Sequence, residues 1–156
     1  MIIRKQLTRD KALERARSYC RYQQRSHTEV KEKLYSFSLR KKDVEELMAQ
    51  LIEEKYLNEE DFAIAFARGK FRMKQWGKVK IKYELKLKKI SEYCINKALK
   101  EIDLEDYRQT LQKLAVKKLQ LLKGEKNIFI KKRKLQDYLM QKGFENELIK
   151  NLIANI

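Results

Sequence analysis

An all-α protein built from three tandem three-helix repeats, elongated and curved, is the fold this chain predicts. Three observations predict it. Proline is absent and only four glycines occur in 156 residues, so almost nothing interrupts helix formation. Seven apolar residues recur three times in the same register. Val30, Leu34, Leu39, Val44, Leu47, Met48 and Leu51 form the first copy; Ile81, Leu85, Ile90, Ile95, Ala98, Leu99 and Ile102 the second; Leu135, Leu139, Phe144, Ile149, Leu152, Ile153 and Ile156 the third. The copies lie 51 and then 54 residues apart, with no gap inside any of them. A period of that length marks stacked supersecondary units. Finally, each copy follows a further amphipathic stretch, which brings the helices to three per unit.

In chain order, the first helix is predicted from Thr8 to about Gln24. Ala12, Leu13, Ala16, Tyr19 and Cys20 give it an i, i+1, i+4, i+7, i+8 stripe. Ser26-His27-Thr28-Glu29 reads as a capping box, with the serine accepting from a first-turn N–H and the glutamate reaching back. Val30 and Leu34 face inward from the second helix, which breaks at Phe37-Ser38. The third carries Val44, Leu47, Met48 and Leu51. In the second unit Asn58 is a plausible N-cap, and Glu59, Glu60 and Asp61 suit the positive end of the helix dipole. Phe62, Ala63, Phe66 and Ala67 form the apolar face. The next helix begins near Gly77. The third unit opens near Asp103, with Tyr107, Leu111, Leu114, Ala115 and Leu122 inward. Lys123-Gly124-Glu125-Lys126-Asn127 is the clearest loop and explains the longer second spacing. Gly143 follows Lys142 as a left-handed cap. The repeats are expected at 1–57, 58–102 and 103–156, with modest interfaces between neighbours and no flexible linker.

Composition narrows the function. Net charge is +16, with a pI near 9.8, which points to a nucleic acid, an anionic membrane surface or an acidic protein face. Cys20 and Cys94 are far apart in sequence and read as two reduced thiols. No apolar run is long enough for a signal peptide or a bilayer span. The expectation is a cytoplasmic monomer without membrane contact or cofactor.

Charge is concentrated between Arg68 and Lys89, which hold ten lysines and arginines against one acid, Glu84. Arg68, Lys70, Arg72 and Lys74 precede Trp76, the only tryptophan. From a helix start near Gly77, Lys78, Lys82, Lys86 and Lys89 fall on one stripe. Ile81 and Leu85 flank it towards the core, while Val79, Tyr83 and Leu87 point to a third side, towards a neighbouring unit. Such lysines suit phosphate contact. Trp76 either stacks on a base or anchors the unit from a half-buried position. A second cluster, Lys131, Lys132, Arg133 and Lys134, opens the equivalent helix of the third unit, so the two helix starts are expected to share one face.

Other chemistry is weakly supported. Asp43 with Glu53-Glu54-Lys55 loosely imitates a metal-dependent nuclease set. Its residues fall on a helix and its end rather than on strands, and capping explains the acids Glu53, Glu54, Glu59, Glu60 and Asp61. His27, the single histidine, lies in a cap sequence with no thiol or carboxylate constellation. No phosphate-binding loop, nucleophile elbow or zinc spacing is present.

Several blocks resemble the RecX family of regulatory proteins. Tyr56-Leu57-Asn58-Glu59-Glu60-Asp61-Phe62-Ala63 resembles its Y-L-(D/N)-D-E-R-F-A block. Trp76-Gly77 with Ile81, Glu84 and Leu85 resembles its W-G-x-x-(R/K)-I-x-x-E-L block. Arg25-Ser26 with Glu29, Val30 and Leu34 resembles R-S-x-x-E-L-x-x-K-L. Ile90-Ser91 with Ile95, Ala98 and Leu99, and Lys142-Gly143-Phe144, match the repeat ends. Asp61 replaces the usual arginine, and Lys89 and Ser38 stand where glycine is common. The resemblance implies tandem three-helix repeats and no catalytic residue. It implies a partner, the RecA recombinase filament on single-stranded DNA, whose growth, ATPase and strand exchange such proteins lower. Duplex DNA without sequence preference is a further expected ligand. The competing reading is a helix-turn-helix DNA-binding module using Lys78 to Lys89. The scarcity of Arg, Asn and Gln there argues against base reading.

Overall fold

The computed structural model describes residues 6–156. Among them nine α-helices and no strand occur. The first repeat comprises α1 (Arg9–Tyr22), α2 (His27–Ser36) and α3 (Lys41–Glu53). The second comprises α4 (Glu59–Gly69), α5 (Lys78–Leu87) and α6 (Glu92–Lys100). The third comprises α7 (Leu104–Leu121), α8 (Ile128–Lys142) and α9 (Asn146–Ala154). No helix of the described residues is long and apolar enough to cross a membrane.

Most helix starts follow from the residue in front. Thr8, Ser26, Asn58, Ser91, Asp103 and Asn127 each accept a first-turn backbone N–H with the side chain. Ser26 departs from the expected box in one respect. Its hydroxyl accepts from the Glu29 N–H at 3.1 Å, but the Glu29 carboxylate takes a bond back from that hydroxyl, at 3.3 Å, rather than from the backbone. The carboxylate also lies 3.9 Å from Arg25 and 3.6 Å from Lys88, so two cations hold it away from the amide.

Nearly all positions of the threefold pattern are buried or half-buried. Ile156 is the exception, because α9 ends at Ala154 and leaves it past the last turn. The interfaces differ from expectation. The first repeat has its own core, from Ala12 to Leu57. The second and third repeats share one continuous core from Phe62 to Ile149, so their interface is not modest. Tyr107 of α7 explains the merger. It is buried between Phe71 and Phe144, with ring centroids 5.8 and 5.2 Å away, and so carries third-repeat side chains into the second repeat.

The backbone seals the same boundary. The N–H groups of Gly77, Val79 and Lys80 donate to the carbonyls of Lys142, Gly143 and Gly143, at 2.8, 2.9 and 3.4 Å. The Lys78 N–H donates to the Tyr107 hydroxyl at 2.8 Å. All four unpaired amides at the start of α5 are therefore met by the third repeat. Its N-cap, Gly77, has no side chain to offer, and none would fit. A Cβ there would lie 2.3 Å from the carbonyl carbon and oxygen of Gly143.

Ser38, Lys89 and Gly143 hold the same place in the three repeats, just after the second helix. All are left-handed, with φ of 63°, 61° and 95°. A non-glycine residue pays roughly 1–2 kcal/mol for that backbone. Thermal melts should separate three kinds of substitution. Gly77→Ala and Gly143→Ala should each cost more than about 2 kcal/mol, because a Cβ at 143 would also lie 2.2 Å from Lys80 Cβ. Lys89→Gly should stabilise by about 0.5–1 kcal/mol. Gly69→Ala, which meets nothing within 4 Å, should be neutral or slightly stabilising. A harmless Gly143→Ala would show that the backbone contact is not what joins these repeats.

Candidate nucleic-acid interface

α4 runs without a break into a π-helical turn, Lys70–Lys74, which Gln75 closes in a left-handed conformation, φ 55°. This turn brings Trp76 back against Phe66, edge to face with centroids 6.5 Å apart. Trp76 is half-buried against the shared core. Its ring is not free for stacking on both sides. Lys70 Nζ lies 5.1 Å and Lys80 Nζ 4.7 Å from its centroid. Lys70 and Lys88 also approach the Phe66 ring, at 5.5 and 5.7 Å. Lys142 Nζ donates to the Lys74 carbonyl at 3.0 Å, adding a cation from the third repeat.

These contacts form a basic belt on an aromatic base. Ammonium groups over ring faces are stabilised without acids, so the charge of Lys70 and Lys80 stays available to an external anion, while Lys88 also meets an acid. The belt begins at Lys88, which bridges to Glu29 of the first repeat, and ends at Lys142. A shallow groove lined by Gln23, Gln24, Glu29, Phe66, Lys70 and Lys88, among others, opens beside it.

The predicted residues distribute unevenly. Lys70 and Trp76 belong to the belt, and Lys74 meets it through its backbone carbonyl. Arg68 lies 3.9 Å from Glu101, and both Arg68 and Arg72 line a small cleft with Glu101, Asp103 and Asp106. Lys78 and Lys82 are half-buried, and Lys78 Nζ sits 4.9 Å from the Tyr107 ring centroid. Lys86 and Lys89 are exposed, Lys89 just beyond the helix. The cluster Lys131, Lys132, Arg133 and Lys134 lies at the opposite end of α8 from Lys142, with Lys131 roughly 16 Å away along the axis. Lys134 pairs with Glu125 at 3.6 Å. The first turn of α5 is sealed against the third repeat, whereas that of α8 carries an exposed Phe129. The two helix starts therefore have different surroundings.

Sequence reasoning missed Lys80, Lys88 and Lys142. Lys80 was legible, standing four residues after Trp76, as Lys70 stands four after Phe66. Lys88 and Lys142 arrive only through tertiary packing.

The acids have specific partners beyond capping. Arg17 holds Glu54 at 2.6 and 2.9 Å, and these bonds keep its carboxyl below the usual range. Glu59 accepts from the Ser91 N–H at 2.6 Å, and Glu60 pairs with Lys97 at 2.9 Å. Asp43 lies near Arg9. Among the described residues no group of three or more His, Cys, Asp or Glu side chains is placed to hold a metal ion.

Known proteins share the three-helix architecture. Family models described as the second and third three-helix domains of RecX match residues 58–99 and 105–153. Regulatory protein RecX of Prosthecochloris aestuarii is 30% identical over 146 residues, covering 94% of this chain and 93% of its own length. The chain belongs to the RecX family. Regulatory protein RecX of Bacillus cytotoxicus is 31% identical over 89% of the chain but only 51% of its own length. The chain thus spans about half the length of such relatives. The crystal structure of RecX from Lactobacillus salivarius superposes with a TM-score of 0.83 at 25% identity, covering 94% of this chain and 95% of that one. A crystal structure of regulatory protein RecX shares the fold with a TM-score of 0.84 at 24% identity. The relatives are named as regulatory proteins, not as enzymes.

Within this RecX chain Tyr107 ties the belt's scaffold together. Its hydroxyl accepts from the Lys78 N–H and donates to the Glu145 carboxylate. Burial, and then the bond to Glu145, push its pKa far above the ordinary tyrosine value. Tyr107→Phe keeps the ring and removes the hydroxyl. It leaves an amide and a carboxylate without their partner, which should cost about 1–3 kcal/mol in chemical denaturation with helix content retained. The exposed Tyr83→Phe should cost nothing measurable.

Proposed function

We propose that this RecX protein binds a RecA-type recombinase filament on single-stranded DNA in the cytoplasm and restrains its extension, ATPase and strand exchange. It does so by occupying surface, without catalysis, cofactor or membrane contact, and as a monomer. The repeats at 1–57, 58–102 and 103–156 are its working units. The observation that supports this most is the belt of Lys70, Lys80 and Lys88 around Phe66 and Trp76 in the second repeat, which Lys142 of the third repeat joins. Such a belt follows a long polyanion. Its lysines offer point charges rather than forks that read base edges. Lys78, Lys82, Lys86 and Lys89 widen the positive field beside it. Lys131 to Lys134 extend it at the third repeat.

Binding to naked DNA should weaken by orders of magnitude between about 50 and 200 mM salt, because each phosphate contact releases a counterion. Replacing Lys70, Lys80 and Lys88 by Gln should lower affinity for the recombinase-coated strand at least tenfold, or about 1.4 kcal/mol. Changing Lys78, Lys82 and Lys86 to Glu should do the same while helix content stays nearly constant. Filament ATPase inhibition is the readout. Failure of the parent protein to slow that ATPase would sink the proposal. A preference of a thousandfold or more for one duplex sequence would favour a helix-turn-helix reader instead.

A further inference from the structure

α5 carries an apolar ridge that the fold does not use. Val79, Tyr83 and Leu87 stand at i, i+4 and i+8, diametrically opposite the buried Ile81 and Leu85. They are 52%, 61% and 60% exposed, so they do not meet a neighbouring repeat as the sequence suggested.

The molecule supplies its own control. The threefold pattern places Thr28, Glu32 and Ser36 at these positions in the first repeat, and Arg133, Asp137 and Gln141 in the third. Those of the third repeat are all exposed, as are Glu32 and Ser36, and all six are polar. The same helix, folding in the same way, thus needs no apolar residue there. Only the middle repeat exposes a valine, a tyrosine and a leucine in line.

We infer that this ridge is a protein-docking surface, and that its occupant is an acid-edged apolar strip on the recombinase of the filament. The inference rests on the function proposed above and divides the labour within it: the belt takes the anion and α5 takes the protein. Two features favour protein over nucleic acid. Val79 and Leu87 offer no ring for a base to stack on, whereas single-strand binding relies on aromatic platforms. An i, i+4, i+8 row is the ridge by which helices pack into grooves. Charge complementarity sets the rim. Lys82 and Lys86 border the ridge on one side and Lys80 on the other.

The test exchanges the ridge for sister-repeat chemistry at constant net charge: Val79→Thr, Tyr83→Gln and Leu87→Ser together in the full chain. Binding is measured to a fluorescent oligothymidine, naked and coated with RecA recombinase and a slowly hydrolysed ATP analogue. The melting temperature and the affinity for the naked strand should change little, the latter by less than about twofold, while affinity for the coated strand should fall at least tenfold. Unchanged affinity for the coated strand would overturn the inference. An equal loss on both strands would assign the ridge to nucleic acid and overturn it too. A parent protein that binds both strands alike refutes the proposed function and the ridge's role with it. Should the triple variant melt early, p-benzoylphenylalanine in place of Tyr83 supplies the second readout. Photocrosslinking should label the recombinase, and labelling of DNA alone would overturn the assignment.

Discussion

Two glycine backbones in contact set the geometry of this protein. Gly77 opens α5 and Gly143 closes α8, and each lies where a Cβ would overlap the other element. The contact places the positive end of one helix against the negative end of another. Carbonyls that α8 cannot satisfy internally receive the amides that α5 cannot satisfy internally. Two sets of costly orphan groups cancel. The merged core follows, because helices joined end to end at van der Waals distance bring Phe71, Tyr107 and Phe144 together.

The first boundary uses the same elements without the glycines. Ser26 stands in the place of Gly77 and Lys89 in the place of Gly143. Both carry side chains, and the helix ends meet here through side chains of the adjoining residues. The Thr28 hydroxyl donates to the Lys88 carbonyl at 3.3 Å, and the Lys88 ammonium reaches Glu29. α2 is capped by its own serine, so it needs less from its neighbour. The first repeat accordingly keeps a separate core. One boundary is closed backbone on backbone and the other through side chains.

This geometry explains how a chain of charge +16 holds its lysines close together. Acids neutralise part of the surface: Arg17 with Glu54, Lys97 with Glu60, Lys134 with Glu125. The central lysines lie over rings, and Lys88 pairs with Glu29 as well. Trp76 and Phe66 hold Lys70, Lys80 and Lys88 by cation–π contact, worth about 0.5–1 kcal/mol each at exposed sites. The π-helical turn makes this possible, since it returns the chain so that Trp76 reaches Phe66 ten residues earlier. Lys70 and Lys80, held over a ring, keep their charge for a partner.

The repeat was written in the sequence because it depends on local rules. Apolar spacing fixed which faces of α2, α3, α5, α6, α8 and α9 are buried. Ser26, Asn58 and Asp103 fixed where helices start. The positions of Lys70 and Trp76 within the basic segment were legible for the same reason. Three things were not. Glu29 looked like half of a capping box, but Lys88 from another repeat competes for it. Val79, Tyr83 and Leu87 looked destined for a neighbour, yet among the described residues no element covers them. Lys142 joined the belt from 54 residues beyond Lys88. Periodicity reports the angle of a side chain about its own helix axis, and capping reports the chemistry of a single turn. Neither contains the distance between two helix ends in different repeats. That distance was decided by where two glycines allowed backbones to touch.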